Sequence, residues 1–142
     1  MLKIVSIIFI SALSASAFAT KSPKIDLEKL KNNCLNNEVL SDCYSLGYLA
    51  EKQDKVADAK KYYELVCRGG SWATCVTLGK LEQRSGDKKT AAKWFGFSCN
   101  DSSSKGDGCY HQALIAQSLQ ASSATVDKLF SKACKKGFKK AC

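Results

Sequence analysis

The chain has 142 residues, a formal charge of +9, 45% hydrophobic residues, a single proline and eight cysteines. That is room for one small domain, and no second hydrophobic stretch follows the first twenty residues, which excludes a multi-span membrane protein. The positive balance admits anionic polymers, membrane surfaces or acidic proteins as partners, or simply a solvated basic face. Nucleic acid is not expected, because no motif for reading it is present.

The opening MLKIVSIIFISALSASAFAT has the form of a secretory signal peptide. Lys3 supplies the positive start, Ile4 to Ile10 and the small residues after them the apolar stretch, and Ala17-Phe18-Ala19 the cleavage site. Read as a transmembrane helix instead, the apolar run is too short for a bilayer of about 30 Å. Residues 1–19 are thus expected to be removed, leaving a periplasmic or secreted protein that does not span the membrane. Residues 20–25 form a short leader, which Pro23 keeps out of any helix.

From residue 26 the chain repeats. The cysteines fall as Cys34/Cys43, Cys67/Cys75, Cys99/Cys109 and Cys134/Cys142, so that both members recur every 32 to 35 residues. A period of that size is the signature of stacked helix-turn-helix units. Four residues before each first cysteine stand Leu30, Tyr63, Phe95 and Phe130, and eight before stand Asp26, Ala59, Ala91 and Val126. Spacing of four puts them with the cysteine on one face of a first helix, A. Asp26 departs from the stripe only in the first unit, where an end repeat turns a polar side to water.

Three residues beyond each first cysteine come Asn37, Gly70, Ser102 and Gly137; Asn and Gly suit the left-handed turn that ends a helix. A second helix, B, starts near each second cysteine. Gly47, Gly79 and Ala113 recur at one position within it, small enough for the next unit's helix A to approach closely. Asp54 and Asp87 stand near the next helix start, where a carboxylate meets the positive end of the dipole. The predicted helices are 27–33, 41–52, 56–68, 71–84, 88–99, 107–119 and 125–136, in units of about 26–53, 54–86, 87–120 and 121–142. The fold class is therefore all-α, an α/α solenoid of about three and a half units, with only FKKAC left for the last helix B.

Eight cysteines in an exported chain read as disulfides. Zinc is the weaker reading, since the close pairs are eight to ten positions apart and His111 is the only histidine. Among 105 pairings the repeat selects one: if every unit is the same object, each bond ties the end of A to the start of B within its unit. No cofactor or metal is expected.

Several of these residues also resemble a known family. The pattern A-x-x-Y-Y-x-x-x-C-x-x-G at Ala59, Tyr62, Tyr63, Cys67 and Gly70, followed by C-x-x-L-G at Cys75, Leu78 and Gly79, resembles the Sel-like repeat, a relative of the tetratricopeptide repeat. The cysteine pair per unit is similar to the cysteine-rich secreted Sel-like repeat proteins of Helicobacter and related bacteria. The first unit keeps Cys43, Leu46 and Gly47, whereas the third has Gln112-Ala113 in place of Leu-Gly. The resemblance implies stacked hairpins in a right-handed superhelix, each with its own disulfide. It implies two activities: an exported module binding a protein, peptide or envelope ligand, or, alternatively, a penicillin-binding protein with weak β-lactamase activity.

The residues themselves favour binding. Ser-x-x-Lys occurs at Ser85/Lys88 and Ser102/Lys105, but in loops, without the further motifs a serine β-lactamase shows, and in a chain rich enough in both residues to produce it by chance. No catalytic residue can be named. His111 is a tempting base, yet a lone histidine on a packed helix is more often structural. Trp72, Trp94, Tyr62 and Tyr110 are candidates to line a recognition groove, expected along the A helices. Trp94 suits the core better, and Trp72, in the loop between A and B where no stripe requires it, is the candidate ligand contact.

Overall fold

In the computed structural model, which describes residues 25–142, seven helices follow one another with no strand among the described residues. The predicted export signal and all but the last residue of the leader lie outside the described residues. The helices are α1 Leu27–Asn36, α2 Leu40–Lys52, α3 Val56–Arg68, α4 Trp72–Arg84, α5 Lys88–Asn100, α6 Asp107–Ser118 and α7 Ser123–Lys135, and a short 3-10 turn, Lys139–Ala141, closes the chain. Each packs on the next along the whole row, as in a solenoid. α1, α3, α5 and α7 are the A helices; α2, α4 and α6 are the B helices.

Local sequence sets the ends. Asp26, Ser71, Asp87 and Ser122 each accept a hydrogen bond from the backbone N–H three residues on, satisfying a donor that the first helical turn leaves free. Asp26 therefore caps α1 rather than extending its stripe. Asp54 differs from expectation: it lies in the turn at φ 58°, and Lys55 precedes α3 without a side-chain cap. Gly70 and Gly137 take the predicted left-handed conformation, at φ 99° and 91°. In the first unit Glu38, not Asn37, has the positive φ, because α1 runs on to Asn36.

The stripe is the core. Ala59, Ala91 and Phe95 are fully buried, Tyr63 is 1% exposed and Val126 8%. Tyr63 lies against Gly47 and Phe95 against Gly79: a methyl at either glycine would sit 2.7 or 2.6 Å from the ring. Ala113, at the same place in α6, is buried where α6 packs on α7. The missing side chain in helix B is thus what lets an aromatic residue of the next helix A fill the joint between units.

Each unit is closed by its own bond, Cys34–Cys43, Cys67–Cys75, Cys99–Cys109 and Cys134–Cys142. The first three join the last turn of A to the first turn of B where the chain reverses, and the fourth ties the last turn of α7 to Cys142 just after the 3-10 turn. Polar ties reinforce them. Lys60 and Glu82 pair at 2.6 Å between α3 and α4, and Arg84 meets Glu51 at 2.7 Å across the first two units.

Candidate binding groove

The main concavities are walled by the B helices α2 and α4, and of the A helices only α3 reaches them, through Val56 and Val66 at the floor. α4 packs against α6 as well as its chain neighbours, but α2 has no comparable packing on α4. The gap leaves two clefts over α3, one at each of its ends. The cleft near the turn from unit one to unit two measures about 560 Å³ and is lined by Tyr48, Glu51, Val56, Leu81, Arg84 and Ser85, among others. The other, about 780 Å³, is bounded by Leu40, Tyr44, Val66, Gly69, Ala73 and Thr74. Tyr44 and Tyr48 stand one helical turn apart on α2, 44% and 48% exposed, and carry the wall from one cleft to the other.

Charge is concentrated at one end of this groove. Glu51 accepts a hydrogen bond from the Tyr63 hydroxyl at 3.1 Å and one from Arg84 at 2.7 Å. Burial first, and the Glu51 carboxylate second, push the Tyr63 hydroxyl well above the ordinary tyrosine range, so it stays a donor. The Lys52 ammonium lies 5.3 Å from the centre of the Tyr48 ring. This end offers a guanidinium paired with a carboxylate, and an ammonium, beside an aromatic face.

Of the residues singled out from sequence, Trp72 is half-buried at the start of α4. It lines a separate hollow of about 320 Å³ with Arg68, Phe97 and Asp101. Trp94 is core, 4% exposed, stacked on Phe97 at 5.4 Å and covered by the Arg68 guanidinium at 5.5 Å. Tyr62 packs against the core of the first unit, and Tyr110 against Phe138, with ring centres 4.7 Å apart. Neither lines the groove.

Ser85 is exposed at the end of α4, and its hydroxyl donates to the Leu81 carbonyl at 3.0 Å. Ser102 is exposed in the loop between α5 and α6. Among the described residues neither hydroxyl is hydrogen-bonded to a lysine or to His111, and no cluster of three or more His, Cys, Asp or Glu is placed to hold a metal ion.

His111 is built into the joint between α5 and α6. Its ring stacks on Phe95 at 5.0 Å, and Nε2 lies 3.2 Å from Asp107 Oδ1. That hydrogen bond holds the Asp107 carboxyl below the usual carboxylate range, against the opposing effect of its burial. With the folded pKa depressed, the pairing stabilises the fold above the unfolded carboxyl's pKa of about 3.9 and is lost as pH falls through the folded value. The stability gap between wild type and Asp107→Asn should be full near neutral pH and close in acid. Urea unfolding at a series of pH values checks this; a gap that persists unchanged in acid shows the pairing contributes nothing.

Sequence reasoning missed Tyr44 and Tyr48. Their signal was weak: Tyr44 corresponds to Val76 in the second unit and Tyr110 in the third, and Tyr48 to Lys80 and Leu114, so neither position has one fixed character across the units. No family model matches the chain, and no curated protein or solved structure does.

Proposed function

We propose that this is an exported Sel-like-repeat module that holds a protein or peptide segment in the groove between α2 and α4. The observation that carries the reading is the pair Tyr44 and Tyr48, exposed one turn apart above the floor made by α3. Tyrosine offers a broad, rigid face with few rotors to immobilise, and the flanking Ser41, Ser45, Thr74 and Gly70 are the small hydroxyl and glycine residues that accompany it on recognition surfaces. α3, at 1.5 Å per residue, is about 20 Å long, room for an extended segment of roughly six residues. The four disulfides fit an oxidising compartment, and among the described residues no helix is long and apolar enough to cross a membrane. The buried stripe and the glycine–aromatic joints support Sel-like membership.

Slow β-lactam hydrolysis has one observation in its favour: Ser85 lines the cleft that also holds Lys52 and Arg84. One set of variants separates the two readings. Oxidised wild type should capture a ligand from cell-envelope extract, and Tyr44→Ser/Tyr48→Ser should lose about tenfold or more of that capture with its helicity intact. Undiminished capture by the double variant overturns the groove. Turnover of a chromogenic β-lactam should stay near background. Robust turnover abolished by Ser85→Ala or Ser102→Ala, with all four disulfides formed, puts hydrolysis in its place.

A further inference from the structure

Charge is distributed along the solenoid unevenly. Residues 26–53 hold three lysines against five carboxylate side chains, whereas residues 121–142 hold six lysines against one, Asp127. Lys128, Lys132 and Lys135 recur at i, i+4 and i+7 and so share a face of α7; Lys136, Lys139 and Lys140 follow around its end. Among the described residues none of the six takes part in an ion pair. Lys132 and Lys136 have a structural task, binding Asn100 Oδ1 at 2.8 Å and the Asp101 carbonyl at 2.6 Å, which ties the α5–α6 loop to α7. Lys136 also donates to the Ser104 hydroxyl at 3.3 Å, and the next residue of that loop, Lys105, is exposed. Lys128, Lys135, Lys139 and Lys140 remain exposed without any such bond.

We propose that this end of the solenoid is a docking face for an anionic phospholipid bilayer, independent of the groove between α2 and α4. Two features select a bilayer over a linear anionic polymer. None of these lysines lines any of the described clefts, so none of those clefts offers the cations a channel that tracks a chain. All the cations are lysine, a hydrated point charge that acts at a distance, and none is arginine, whose planar fork grips single phosphate or sulfate groups. Four to eight such cations on one face are what holds a protein against acidic headgroups without insertion.

The test uses the oxidised protein and sedimented vesicles, either pure phosphatidylcholine or phosphatidylcholine with one-third phosphatidylglycerol. Binding should require phosphatidylglycerol and vanish between low and half-molar salt, as contacts between exposed charges are screened. Lys135→Gln/Lys139→Gln/Lys140→Gln should weaken it roughly a hundredfold. Lys61→Gln/Lys88→Gln/Lys89→Gln, which removes the same net charge elsewhere, should weaken it by less than about threefold. Circular dichroism establishes that both variants are folded, and the salt titration of wild type stands even if one is not. Equal loss in the two variants overturns the proposal in favour of net charge alone. Failure to bind the acidic vesicles, with salt-sensitive retention on dextran sulfate that depends on the same three lysines, overturns it in favour of a polyanionic polymer.

Discussion

Phe95→Ala is expected to lower the unfolding free energy of the oxidised protein by about 3–5 kcal/mol, the usual cost of emptying a buried aromatic site. The ring is fully buried and joins three helices. It fills the place left by Gly79 on α4, stacks on His111 of α6, and shares a cluster with Val76, Ala91 and Ile115. Little of the void can collapse, because the α4 backbone at Gly79 bounds it on one side and the packed His111 ring on another. Urea titration followed by circular dichroism measures the change, and Phe97→Ala supplies the contrast. Phe97 is one face further round α5 and 48% exposed, so its loss should cost about 1 kcal/mol or less. In a repeat protein stability is a sum of units and joints, so the variant should also split the transition, units one and two unfolding apart from the rest. A cost for Phe95 no greater than that for Phe97 would mean that the joints between units do not hold the stack together.

The residues that make this joint were legible because the cysteines provide a register. Once Cys67 and Cys99 are aligned, Tyr63 and Phe95 fall at one position and Gly47 and Gly79 at another, and each ring meets its glycine in space. α3 was bounded correctly at Val56 and Arg68, where the stripe, the preceding polar turn and Gly69-Gly70 agree. α1 was read three residues short, since the Asn37 signal competes with a helix whose last turn is free to continue to Asn36. Binding surface is another matter. Tyr44 recurs as Tyr110 in the third unit and leans on Tyr63, yet both it and Tyr48 stay largely exposed, and their meaning depends on α2 standing apart from α4, which neither helix encodes alone. The groove was expected along the A helices for the same reason: periodicity specifies which faces meet, not how far neighbouring hairpins splay.

Reduction of all four disulfides is expected to unfold the protein in the absence of denaturant. Each closes a loop of eight to ten residues, worth roughly 2.5 kcal/mol in the chain-entropy account. Together that is on the order of 10 kcal/mol, comparable to the whole net stability of about 5–15 kcal/mol typical of a domain. The core offers little in reserve, since buried residues gather in four small clusters rather than one large one. The bonds should not open together. Cys34, Cys43, Cys67, Cys75, Cys99 and Cys109 are all 5% exposed or less, whereas Cys142 is exposed and Cys134 half-buried. Limiting reductant followed by alkylation and peptide mass mapping should therefore label Cys134 and Cys142 first, with helicity nearly unchanged at that stage. Cys142→Ser should reproduce this first stage, loosening residues 136–142 in hydrogen exchange while α3 to α6 remain protected. α7 keeps its place there through Lys132 and the packing of Val126 and Ala133. Global loss of protection in Cys142→Ser would show instead that the last unit caps the whole stack. Full helicity after all four bonds are reduced would show that the helix joints suffice without them, and would move the source of stability from the cysteines to Tyr63 and Phe95.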